Sequence, residues 1–216
     1  MAILDRLSDA AQREKAMLQD KAIESIFSSK VRAVFHGGTA VWRCYGGERF
    51  SKDIDMYVKN KAESMKILDR LGRGGMRCGL LQERKADFGL YHNYVVRSGT
   101  ADIALQITFA KMHGSVVTYE TVNGAYRNVI SLRAEEMLLE KLDAYLDRAK
   151  ARDLYDMWIL SRQAFSKKTA GLLGRKLAKP QKTVDYEELR HSVYGLLPQL
   201  GEMIEAILRR AHEIRE

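Results

Sequence analysis

Two aspartates separated by one isoleucine, Asp53-Ile54-Asp55, follow a β-branched and aromatic run, Val31 to Phe35, that breaks at Gly37-Gly38. Alternate residues of a strand share a face. Asp53 and Asp55 therefore point the same way, about 6.5–7 Å apart along the backbone, and Ile54 turns into the core. A turn without Cβ atoms lets the backbone approach phosphates, and the amides of a helix starting after it point at the anion. A strand, a glycine turn, a short helix and a carboxylate-bearing strand thus set phosphate donors opposite metal ligands. Hard Mg²⁺ takes oxygen ligands at about 2.1 Å, some from carboxylates and the rest from phosphate and water. A bare Asp-x-Asp is most often a surface pair, and Gly-Gly is usually only a turn. Their succession points to metal-assisted phosphoryl chemistry.

The rest of the chain builds around that unit. Apolar residues from Leu4 to Ile26 recur at three- and four-residue steps, which predicts one N-terminal helix over residues 3–28. Thr39 is placed to cap a short helix from Ala40 to about Tyr45, and a helix follows from Ala62 to about Leu71, ending at Gly72. From Met76 to Ile130 the pattern is β. Strands are predicted at Asp87 to Val96 and Ala101 to Phe109, joined at Ser98-Gly99, with shorter ones at Val116 to Val122 and Asn128 to Ile130. Ser131 is a candidate N-cap for a helix from about Leu132 to Ala149. Helices at Arg152 to Gln163, Ala170 to Leu177, near Tyr186 (opened by Asp185 with Glu188) and from Gly201 onward complete the chain. The fold class is α+β: an α/β domain over residues 1–130, then a helical domain over residues 131–216.

Composition narrows the setting. No apolar block is long enough for a membrane span or a signal peptide, and Cys44 and Cys78 are too few for a disulfide framework or a metal quartet. A cytoplasmic protein with two free thiols is expected. The net charge of +8 attracts polyanions. It is concentrated from Ser161 to Lys182, where Arg162, Lys167, Lys168, Arg175, Lys176, Lys179 and Lys182 stand with no acidic residue. That run suits an RNA backbone, and equally a solvated helix face.

The succession of Gly37-Gly38 and Asp53-Ile54-Asp55 resembles the signature of the polymerase β-like nucleotidyltransferases. More closely, His36-Gly37-Gly38-Thr39-Ala40-Val41-Trp42-Arg43 with Arg49-Phe50-Ser51-Lys52-Asp53-Ile54-Asp55 resembles the AbiEii/AbiGii toxin family, which includes MenT-type tRNA-modifying toxins. The stretch between glycines and aspartates exceeds the superfamily's usual spacing, and an Arg-Phe-Ser insertion of this sort is typical of the AbiEii group. A second match lies at Glu140-Lys141-Leu142-Asp143-Ala144, Arg148 and Arg152-Asp153-Leu154-Tyr155-Asp156.

The resemblance implies a polymerase β-like fold, a mixed sheet flanked by helices with a helical domain after it. Asp53 and Asp55 would hold Mg²⁺ or Mn²⁺, with Asp102 as a third metal carboxylate. Gly37, Gly38, Thr39 and Ser51 would contact the NTP. Lys141 would reach the triphosphate, and Asp153 would act near the attacking hydroxyl or position Lys141, with Asp156 as an alternative. Arg148 and Arg152 could hold phosphate or the acceptor. The implied activity is nucleotide transfer to a hydroxyl of RNA (a tRNA-like acceptor) or of protein, by a toxin with a cognate antitoxin. Two other readings stand beside it: a non-catalytic RNA- or partner-binding module on the same shell, and an aminoglycoside-type small-molecule nucleotidyltransferase. His36 is either a satisfied histidine or a substrate contact. Arg43 and Arg49 are either phosphate ligands or structural ion-pair partners.

Overall fold

The computed structural model describes residues 2–28, 31–86, 89–183 and 185–216. Two compact units share the chain: Met1–Cys44 with Phe50–Leu132, and Tyr45–Arg49 with Arg133–Glu216. The short piece 45–49, which the sequence pattern assigns to the front of the chain, belongs with the second unit.

The first unit is a seven-stranded mixed sheet in the order β3-β4-β5-β2-β1-β7-β6. Its strands are β1 (Ala33–His36), β2 (Ile54–Val58), β3 (Arg77–Ala86), β4 (Gly89–Ser98), β5 (Ala101–Phe109), β6 (Ser115–Glu120) and β7 (Tyr126–Ser131). The helices are α1 (Ile3–Arg6), α2 (Ala10–Phe27), α3 (Gly37–Cys44) and α4 (Lys61–Arg73). Phe35, Ile54, Met56, Ile103, Leu105 and Ile107 line a buried apolar face. α2, α3 and α4 cover this face: α2 touches α4 and β5, while Arg43 of α3 pairs with Asp20 of α2 and lies over Tyr119. The opposite face carries Asp55, as strand alternation requires.

Several local expectations change. The N-terminal helix is two helices, because Leu7 is extended and Asp9 caps α2 by accepting from the Ala11 amide at 2.8 Å. α3 begins at Gly37, so Thr39 lies inside it rather than capping it. Asp53 sits just before β2. β3 lies in the stretch read as β but ahead of the first strand placed there: its Gly, Glu, Arg and Lys content hides an edge strand. The predicted strand start at Asp87 lies outside the described residues.

The second unit is helical: α5 (Ala134–Arg148), α6 (Ala151–Leu160), α7 (Lys167–Lys176), α8 (Tyr186–Arg190) and α9 (Leu200–Arg215). Ser131 ends β7 instead of capping α5, whose N-cap is Arg133 with a box closed by Glu136. Asp185 does not cap α8; its carboxylate accepts from the Ala151 amide at 2.8 Å and so caps α6. Residues 45–49 are clasped here: Tyr194 donates to the Glu48 carbonyl at 3.0 Å, and Arg49 forms a bridge with Val193. Gly195 permits the approach, since a Cβ there would stand 2.7 Å from the Glu48 Cβ.

Candidate active site

β1 ends at His36 and the chain turns at once into α3 through Gly37, whose φ of +77° lies in the left-handed region that favours glycine. A side chain at Gly37 would overlap the Asp55 carboxyl group, 2.7 Å from its Cγ and 2.9 Å from its Cβ. The carboxylate therefore lies directly on the turn, and the helix N-terminus beginning there carries unsatisfied amides. The antiparallel register of β1 and β2 produces this closeness by setting His36 opposite Asp55.

The loop that delivers Asp53 is pinned from two sides. Thr39 is fully buried, and its hydroxyl donates to the Asp53 carbonyl, with the Ser51 carbonyl within reach at 3.3 Å. Gln19 of α2 donates to the same Ser51 carbonyl at 2.7 Å. The Thr39 side chain is thus spent on positioning the carboxylate loop, leaving its main chain for an anion. Gln19 was missed by sequence reasoning; its one signal is a polar side chain inside the apolar stripe of α2.

Among the described residues, no lysine or arginine forms an ion pair with Asp55. A hard carboxylate on a bare turn, with Asp53 two residues before it in the chain, fits a divalent cation that completes its shell from phosphate and water. No third His, Cys, Asp or Glu joins them among the described residues. Asp102 stands at the exposed start of β5 with Lys15 Nζ 3.0 Å away, and the register brings Gln106, not Asp102, opposite Asp55. Asp102 shares the strand face but lies four residues before Gln106 on β5. His36 stacks on Tyr57, ring centroids 3.8 Å apart. Arg43 is a structural partner, with Nε 2.7 Å from the Glu120 carbonyl and its guanidinium between Trp42 and Tyr119. Burial pushes the Cys44 thiol up to about 12, which removes it as a nucleophile.

In the second unit, Lys141, Arg148, Arg49, Asp153 and Asp156 form one network. Asp153 and Asp156 are three residues apart on α6 and project from one face. Ala149 at φ 51° makes the tight turn from α5 into α6. Across it, Arg148 binds Asp153 through two hydrogen bonds of 2.7 and 2.8 Å. Asp156 receives Arg49 through both oxygens at 2.9 and 3.1 Å and Lys141 Nζ at 2.7 Å, whereas Asp153 is 3.5 Å from Lys141. Burial works to raise the Asp156 carboxyl, but Arg49 and then Lys141 outweigh it and hold it below the usual carboxylate range. Arg49 is thereby an ion-pair partner, a choice its sequence position left open. Arg152 is exposed on α6.

Residues 22–212 match the model of the family described as nucleotidyl transferase AbiEii toxin, type IV TA system. The chain belongs to the AbiEii family. No curated protein matches it. Among solved structures, JHP933 from Helicobacter pylori is similar with a TM-score of 0.67 at 20% identity, over 97% of this chain and 93% of that one. The antibiotic-resistance factor ANT(2'')-Ia is similar with a TM-score of 0.50 at 14% identity, over 82% of this chain and 95% of that one. At those identities both speak for the nucleotidyltransferase-like fold alone. Membership in the AbiEii family makes the protein a nucleotidyltransferase of a toxin–antitoxin family.

Proposed function

We propose that the chain transfers a nucleotide from an NTP to a hydroxyl of an RNA acceptor, with Mg²⁺ held by Asp53 and Asp55. The observation that carries this is the Asp55 carboxylate seated on the bare Gly37 turn. A metal there would neutralise triphosphate charge and make the phosphorus accessible to attack. The amides at Gly37, Gly38 and Thr39 bind the β,γ-phosphates, and Ser51 borders them. In the second unit, Asp156 fixes the Lys141 ammonium at 2.7 Å. Asp153 is a positioning residue, because its oxygens accept from Arg148 and a proton-accepting role would break that pair. The acceptor hydroxyl oxygen bonds to the α-phosphorus in line as the bond to pyrophosphate breaks, and the hydroxyl proton passes to solvent.

An RNA acceptor is favoured by the basic run Arg162 to Lys182. It disfavours the cationic acceptor of an aminoglycoside-type enzyme. A cognate antitoxin and a cytoplasmic site of action, where NTPs and tRNA are found, follow from the same proposal. Among the described residues no helix is long and apolar enough to cross a membrane.

The test is incubation of the protein with radiolabelled NTPs, Mg²⁺ and total tRNA. Label should pass to RNA and be lost in Asp55→Ala; transfer that survives this substitution sinks the assignment.

A further inference from the structure

A row of carboxamides leads from Asp55 to the edge of the sheet. Gln106 of β5 stands opposite Asp55, Asn93 of β4 opposite Gln106, and Gln82 of β3 opposite Asn93. Directly opposed residues on neighbouring strands share a face, and strands lie about 4.8 Å apart. The row thus begins beside the metal-binding carboxylate and steps outward on its side of the sheet. All three amides are half-buried, and among the described residues none of these side chains makes a hydrogen bond.

β3 is bent to complete the row. Its register shifts between Leu80 and Gln82. Without the extra residue, Leu81 would stand opposite Asn93, because a one-residue slip exchanges the faces of a strand. The bulge brings Gln82 into line instead, although Leu81 is left 63% exposed. Tyr57, Thr108 and Tyr91 form the next row on the same face, adding aromatic surface.

A carboxamide carries a donor and an acceptor side by side, the pattern that matches a nucleobase edge; phosphate calls for cations. The sugar separates a transferred phosphate from its base, so a base reaches past the strand that holds the metal. We propose that Gln106, Asn93 and Gln82 read the base of the incoming nucleoside triphosphate. This rests on Asp55 holding the metal-bound triphosphate, as inferred above.

The full chain is titrated in Mg²⁺ with ATP, GTP, CTP, UTP and inorganic tripolyphosphate. The wild type should prefer one base by about tenfold or more, the discrimination of a good bidentate contact. Gln106→Leu and Asn93→Leu should flatten that preference to about threefold or less, with tripolyphosphate affinity unchanged. Asn93→Asp, nearly isosteric, should shift the preference toward a base presenting a donor where the amide donor was. Equal affinity of the wild type for all four NTPs overturns the proposal, as does a preference that survives these variants. A change in the preferred acceptor RNA with the NTP preference intact overturns it too, since the row would then read the acceptor. Tripolyphosphate binding that does not depend on Asp55 overturns the underlying metal-site assignment instead.

Discussion

Gly37 and Asp55 occupy each other's space: the glycine has no Cβ, and the carboxyl group of the aspartate stands where one would be. The register of β1 with β2 makes them neighbours, since Gly37 follows His36, the residue opposite Asp55. The glycine turn and the Asp55 carboxylate are therefore one steric unit.

Gly37→Ala should uncouple that unit. The methyl group has to displace Asp55, and φ of +77° adds strain of roughly 1 kcal/mol. Nucleotide transfer should fall by about a hundredfold or more, as expected of a lost transition-state contact, while circular dichroism shows a folded protein. Activity within a few-fold of wild type would mean that the carboxylate has no fixed place on the turn.

Asp102→Asn tests whether Asp102 is a third metal carboxylate. Asp102 is exposed and paired with Lys15, an arrangement that contributes about 0–1 kcal/mol. Transfer activity and its Mg²⁺ dependence should stay within about twofold of wild type. A large rise in the Mg²⁺ requirement would restore Asp102 as a ligand.

Asp156→Ala should be more damaging than any change at an exposed charge. It leaves Arg49 and Lys141 without their shared carboxylate, and breaking a buried pair costs roughly 3–5 kcal/mol. Thermal melting reads the stability loss. Lys141→Met removes one cation and leaves Asp156 paired with Arg49, so its loss of stability should be smaller than that of Asp156→Ala.

The pH dependence follows from the sign of the Asp156 shift. Its folded carboxyl lies below the unfolded value, so the network's contribution is fully present above the usual carboxylate range. It is lost as pH falls through the depressed folded value. Urea titrations should therefore show a wild-type advantage over Asp156→Asn that holds from neutral pH down to about 5 and shrinks below about 4.

Ala149→Gly should stabilise the protein by about 1 kcal/mol, since Ala149 occupies the left-handed conformation at the end of α5. A rise in melting temperature checks it. An unchanged or lower value would show that the alanine methyl makes a compensating contact.

Much of the local structure around Asp55 was legible in the chain because it is local. Asp53 and Asp55, the glycine turn and the strands on either side depend on side-chain alternation and backbone freedom over a few residues. The Lys141 and Asp153 elements were legible by resemblance and by three- and four-residue helical spacing. Gln19, β3 and the role of Arg49 were not, since each takes its meaning from a partner distant in sequence.

What the sequence determined by itself was the chemistry available: an Asp-Ile-Asp unit at the start of a strand, a turn without side chains, and a lysine and two aspartates on consecutive helices. What only the tertiary structure decided was pairing. Strand register chose Gln106 over Asp102 as the neighbour of Asp55, and packing gave Asp156 to Arg49 and Lys141. Register and ion pairing are choices among several partners of similar local fitness, and the burial of the whole unit selects between them.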